Sequence, residues 1–224
     1  MGKRITNAKK EIDSTKSYSP QEAIELAKKT ATTKFVGNIE THVRLGIDAK
    51  KSDQIVRSTV TFPHATGKVK RIVAFVTEGK EKEAKDAGAV LVGGEDLIKK
   101  IKETEQLNFD MSIAEPAMMP KLAQIAKLLG PRGLMPNPKT GTVTADIGKA
   151  IREYAAGKAE FKNDESGNVH MTLGKSNLET NALTDNFKTF IEALNHAKPA
   201  GLKKEFINTV TIHSTMGPGI RVKI

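Results

Sequence analysis

Between Ile39 and Ile47 the chain alternates steadily: Ile39, Thr41, Val43, Leu45 and Ile47 fall on one side, with Glu40, His42 and Arg44 on the other. Successive strand side chains point to opposite faces, so this segment predicts a strand with one face inward and one polar. Upstream, Ser19-Pro20-Gln21-Glu22 carries a helix start: a serine cap, proline in the first turn and a glutamate able to close a capping box. A helix over about 20–32 is expected, burying Ala23, Ile24 and Ala27, and a second strand over 55–62 ends at Pro63-His64. The basic residues before position 19 read as a mobile tail.

From Gly67 the texture changes to strand, helix, strand, helix: V-K-R-I-V-A-F-V-T, E-K-E-A-K-D-A-G, V-L-V-G-G and E-D-L-I-K-K-I-K. An apolar run over 109–114, a helix over 119–129 and a helical stretch over 147–156 continue it, which predicts a mostly parallel sheet covered by helices. After Gly157 the segment 158–173 reads as a hairpin turning at Ser166-Gly167. A helix carrying Leu183, Phe187, Phe190, Ile191 and Leu194 follows, then two strands flanking Thr215-Met216-Gly217-Pro218. Neither the opening nor the closing segment supplies a core alone. The expected fold is therefore a discontinuous α+β domain, residues 1–66 with 158–224, in which helices cover one face of an antiparallel sheet. An α/β domain at 67–157 is inserted into it.

Charge narrows the class of partner. The formal net charge is +10 with an isoelectric point near 9.6, which favours phosphate-rich polymers, and the basic excess is larger on the two-part domain than on the insert. No apolar run approaches a membrane span and the N-terminus lacks a signal-peptide core, so a cytoplasmic protein without membrane contact is expected. The absence of cysteine removes disulfides, thiolate metal sites and cysteine nucleophiles.

Enzymatic readings fail on spacing. Gly174-Lys175-Ser176 resembles the end of a phosphate-binding loop, but Val169 stands where that loop needs glycine. No G-x-G-x-x-G follows the insert's first strand, and Val92-Gly93-Gly94-Glu95 reads as a strand-to-helix turn. His42, His64, His170, His196 and His213 are scattered, with no close-set pair. Surface or hydrogen-bonded histidines are the default reading, and only a metal site assembled in three dimensions stays open. No catalytic residue, cofactor or metal is assigned.

Two segments invite a binding role. The loop G-P-R-G-L-M-P-N-P-K-T-G-T at 130–142 reads first as a rigid connection, and second as a presentation of Arg132 and Lys139 to phosphate. Phe35, after the first helix, reads first as core and second as a contact near the C-terminal loop. Aromatic residues are 4% of the chain, too few for a broad stacking surface. Recognition of a folded RNA by backbone, hydroxyls and shape fits better.

The segments L-G-I-D-A-K-K-S-D-Q-I-V-R-S-T-V-T-F-P-H-A-T-G-K at 45–68, G-P-R-G-L-M-P-N-P-K-T-G-T at 130–142 and S-T-M-G-P at 214–218 resemble, in order, the bacterial form of the ribosomal L1 family. The resemblance covers nearly the whole chain. It implies a Rossmann-like inserted domain on a two-strand hinge near 66–68 and 157–159. It also implies binding to the stalk of large-subunit ribosomal RNA, release of deacylated tRNA from the exit site, and repression of its own operon through the messenger. The free protein is expected to be a monomer. The RNA contacts carried over are Lys34, Phe35, Glu40, Thr41, Thr209, Thr215, Met216 and Gly217; many relatives have serine where this chain has Thr209. The alternative is a general basic RNA-binding protein or chaperone without ribosomal specificity.

Overall fold

Helix formation begins earlier than the sequence pattern implies. In the computed structural model, which describes residues 3–13, 15–67, 70–77, 79–202 and 205–223, Lys3–Lys10 forms α1 in place of the mobile tail. It buries Ala8 and ends on Lys9 and Lys10, whose charge complements the helix C-terminus. Helix α2, Pro20–Lys29, follows its capping box: Glu22 N–H donates to Ser19 Oγ at 3.4 Å and Ser19 N–H donates to Glu22 Oε2 at 3.0 Å. Then come β1 (Asn38–Leu45), β2 (Arg57–Thr61), β3 (Ile72–Phe75), α3 (Glu81–Asp86), β4 (Leu91–Gly93), α4 (Glu95–Thr104) and β5 (Met111–Ala114). After these the chain forms α5 (Met119–Leu122), α6 (Ala126–Leu129), α7 (Ile147–Ala155), β6 (Lys158–Lys162), β7 (Asn168–Lys175), α8 (Thr180–His196), β8 (Ile207–Ser214) and β9 (Ile220–Val222).

The chain divides into two compact units, Met1–Gly67 with Ala159–Ile224, and Lys68–Lys158. The first unit holds a four-stranded sheet in the order β7-β1-β8-β9, every neighbouring pair antiparallel. Alternation sends Ile39, Val43 and Leu45 from β1, Val169, Met171 and Leu173 from β7, and Val210 and Ile212 from β8 to one side. There α2 and α8 cover them with Ala23, Ile24, Ala27, Leu183, Phe187, Phe190 and Leu194. The 158–173 hairpin differs from expectation. Its turn forms, Gly167 N–H donating to Asp164 O at 3.1 Å, but β6 leaves β7 after one bridge, Asn163 to Val169, and pairs with β2. Leaving β7 gives β2 its partner strand.

The second unit has three parallel strands in the order β4-β3-β5. All four residues of β3 are buried because both faces are covered, as parallel strands require. Ile72 and Ala74 pack with Ala84, Ile147, Ile151 and Tyr154, whereas Val73 and Phe75 pack with Ile98, Ile101, Met118, Leu122, Ile125 and Leu129. The expected helix over 119–129 is broken into α5, a 3-10 turn at Ala123–Ile125 and α6, all of which still bury the same side. Of the hinge expected at 66–68 and 157–159, Lys68 lies outside the described residues.

At the end of β5, Glu115 accepts from Thr77 Oγ1 at 2.6 Å, Lys80 Nζ at 3.0 Å and Thr77 N–H at 3.1 Å. The Thr77 hydroxyl, then Lys80, then the Thr77 amide stabilise the carboxylate and hold its pKa at about 2, well below its usual 4.5. A depressed carboxylate pKa contributes stability that is full above 4.5 and is lost as pH falls toward 2. The Glu115 side chain is only 14% exposed, so the contribution at pH 7 is about 2 kcal/mol after solvent screening. Denaturant unfolding should show Glu115→Gln less stable than the parent by that amount at pH 7, with the gap closing near pH 2. A gap that is constant with pH would exclude the carboxylate as its source.

Candidate nucleic-acid interface

Thr215 ties the C-terminal loop to the start of β1. Its N–H donates to Asn38 O at 2.8 Å, and its hydroxyl accepts from Asn38 N–H at 2.9 Å while lying 3.2 Å from Glu40 Oε1. The turn closes when Gly217 N–H donates to Ser214 O at 2.7 Å, which places Met216 at the corner with φ +62°. A left-handed backbone disfavours a side chain like Met. Even so, Met216 is 64% exposed, and Phe35 and Val36, in the segment that leads to Asn38, are also largely exposed. Lys34 is exposed in the same segment. Exposed apolar side chains on two segments tied by the Thr215–Asn38 hydrogen bonds, one of them on a strained turn, with an exposed lysine in the other, have the composition of a contact surface.

Arg4, on α1, joins the two loops. Its Nη2 donates to Met216 O at 2.9 Å and its Nη1 to Thr32 Oγ1 at 3.3 Å. The hydrogen bond to Met216 spans 212 residues of sequence, and the only local sign of it was a basic tail.

Glu40 and Thr209 lie on the outer face of the sheet, opposite the helices. The register sets Glu40 beside His213, His42 beside Thr211, and Arg44 beside Thr209 on β8. Thr209 is exposed and Glu40 half-buried. Thr41 is placed differently. It shares the inner side with Ile39 and Val43 and is fully buried, so its hydroxyl is not presented to the outer face. Among the described residues that hydroxyl and Ser214 Oγ have no hydrogen-bond partner.

Glycine at 217 has a reason inside the turn itself. A Cβ there would run into Ser214 Oγ and lie 3.0 Å from Ser214 O, so crowding within the protein disfavours a side chain.

The loop at 130–142 is held by its own polar groups. Asn137 N–H donates to Thr142 Oγ1 at 2.7 Å, Thr140 Oγ1 donates to Asn137 O at 3.0 Å, and Tyr154 Oη donates to Thr140 O at 2.5 Å. This supports the rigid-connection reading. Among the described residues no helix is long and apolar enough to cross a membrane.

Over residues 27–218 the sequence matches the Ribosomal protein L1p/L10e family. The chain belongs to this ribosomal L1 family. Two relatives, the large ribosomal subunit proteins uL1 of Thermosipho melanesiensis and Thermosipho africanus, are each 47% identical over 220 residues, 98% of this chain and 95% of theirs. The L1 family consists of structural RNA-binding proteins and not enzymes.

One feature of this L1-family chain lay beyond its motifs. His42, His170 and His213, scattered in sequence, meet on the outer face because β7, β1 and β8 are adjacent. Burial first, then the neighbouring His213 and His170, push the His42 pKa down, while Glu40 opposes them. Asp164 stands beside His170. Partial burial raises its carboxyl, but hydrogen bonds from Asn168, His170 and the Ser166 amide outweigh that and hold it at about 2.

Proposed function

We propose that this protein is a cytoplasmic constituent of the large ribosomal subunit whose two-part unit binds the stalk region of large-subunit ribosomal RNA. The observation that carries the reading is the exposed Met216 on its left-handed turn, linked through Thr215 to the exposed Phe35 segment. Lys34, Phe35, Glu40, Thr209, Thr215, Met216 and Gly217 form the contact surface, Arg4 holds its two loops together, and Thr41 supports it from beneath. Hydroxyls and backbone read ribose and phosphate, Phe35 and Met216 pack on sugar or base faces, and the basic residues add salt-sensitive attraction. The parallel three-stranded unit is a Rossmann-like insert that moves with the stalk as deacylated tRNA leaves the exit site. The same surface binds a stalk-like fold in the messenger of its own operon and represses translation. The free protein is a monomer.

Binding to a stalk RNA fragment and to an unrelated structured RNA of equal length, across a salt series, tests the reading. Preference for the stalk fragment that survives raised salt is expected, and equal, steeply salt-dependent binding to both would leave only a general RNA binder. Met216→Ala should weaken stalk binding about tenfold, by analogy with the loss of one stacked contact. It should leave the unfolding midpoint unchanged, since the side chain is exposed.

A further inference from the structure

The outer-face histidines present a problem of proton count. His213 Nδ1 lies 2.8 Å from Ser214 O, an acceptor only, so Nδ1 carries the proton and Nε2 a lone pair. His170 Nε2 lies 3.3 Å from the ionised Asp164 Oδ2, so Nε2 carries that ring's proton and Nδ1 a lone pair. His42 Nδ1 faces His170 Nδ1 at 2.6 Å and must donate to it. That leaves His42 Nε2 as a lone pair, in contact with the lone pair of His213 Nε2.

Three neutral imidazoles thus satisfy every outer contact and leave two nitrogen lone pairs converging at the centre. The ring centroids of His42 and His213 are 4.5 Å apart with planes 17° from parallel. With the Nε2 atoms in hydrogen-bond contact, such a spacing sets the rings head to head, so both lone pairs point into the gap. Glu40 adds a carboxylate: one oxygen of Glu40 and one nitrogen each of His42 and His213 lie within 4.8 Å of one another.

We propose that Glu40, His42 and His213 bind a single divalent transition-metal ion of the zinc class. Two imidazole nitrogens and one carboxylate oxygen are a usual zinc donor set, with the fourth position open on the outer face. Bonds of about 2.0–2.1 Å in tetrahedral geometry need the two nitrogens about 3.3 Å apart. Both imidazoles are half-buried, and small side-chain rotations open the gap to that width. The supporting groups are in place: Ser214 O orients His213, and Asp164 orients His170, which in turn orients His42.

Calorimetric titration of the full chain with zinc chloride at pH 7.5, without RNA, tests this independently of the RNA reading. Saturable one-to-one binding is expected. His213→Ala and Glu40→Gln should each weaken it at least tenfold, and Asp164→Asn, which acts through His170 and His42, should weaken it about tenfold. His196→Ala, far along α8, should leave it unchanged. Cobalt in place of zinc should give the intense visible bands of a tetrahedral site, lost in His213→Ala, while an unchanged unfolding midpoint shows the variants folded. Absence of saturable binding, or binding indifferent to these substitutions, overturns the proposal. So does nitrogen-15 NMR showing His42 and His213 sharing a proton that zinc does not displace.

Discussion

Gly217→Val is expected to lower affinity for the stalk RNA about a hundredfold, an effect of roughly 2.7 kcal/mol. The branched side chain meets Ser214 Oγ and Ser214 O inside the turn, so the turn must open. Opening it costs the Gly217 N–H bond to Ser214 O and displaces Met216 from its corner. A double substitution separates this cause from simple obstruction of the ligand. Gly217→Ala alone still strikes Ser214 Oγ, whereas in a Ser214→Ala background the hydroxyl is gone and the new methyl keeps the 3.0 Å approach to the carbonyl and an ordinary 3.4 Å contact with the Cβ of residue 214. Binding should therefore recover in the double variant by several-fold over Gly217→Ala, as read by filter binding. Equal weakness in both would place the obstruction outside the protein, in the RNA itself.

Asn186→Ala is expected to destabilise the two-part unit by about 3 kcal/mol, the largest effect of any single polar truncation in it. Asn186 is fully buried on α8. Its Oδ1 accepts from His64 N–H at 3.1 Å, and its Nδ2 donates to His64 O at 3.0 Å and to Leu173 O at 2.8 Å. One amide thus fixes the chain leaving β2 and the edge strand β7 against the same helix. Alanine leaves the Leu173 carbonyl buried and unpaired, and frees the His64 backbone. Asn195→Ala, exposed on the same helix, should change stability by less than about 0.5 kcal/mol. Urea unfolding of the three proteins compares them directly, and similar values for both variants would deny Asn186 its bridging role.

The faces of the strands were legible because they depend on local rules. Period-two alternation in β1 put Glu40 outward and Ile39 inward before any partner strand was known. The same alternation already assigned Thr41 to the apolar side, a signal outweighed by the resemblance that named it a contact. Ser19 and Glu22 announced α2 by a spacing of three. What escaped was register and reach. Alternation gives the face of His42 but not the strand that lies beside it, so the meeting of His42 with His170 and His213, 128 and 171 residues away, was invisible. Arg4 was hidden for the same reason, since nothing in a short run of basic residues shows which carbonyl it will hold. The β6–β2 pairing was missed because the tight turn at Asp164–Gly167 resembles that of a full hairpin.

Strand β1 is central to the sheet, yet its neighbours β7 and β8 begin only at Asn168 and Ile207. During synthesis, β1 therefore emerges early and waits, both its edges unpaired, through the whole of the contiguous Lys68–Lys158 unit. That unit contains every partner its strands need and can fold as soon as it leaves the exit tunnel, so the molecule matures from its middle outward. The loop with Met216 follows β8 and so is completed well after the insert has been made. A chain halted before β7 and β8 thus carries an insert with all its strand partners and a β1 whose two edges are unpaired and prone to mispairing.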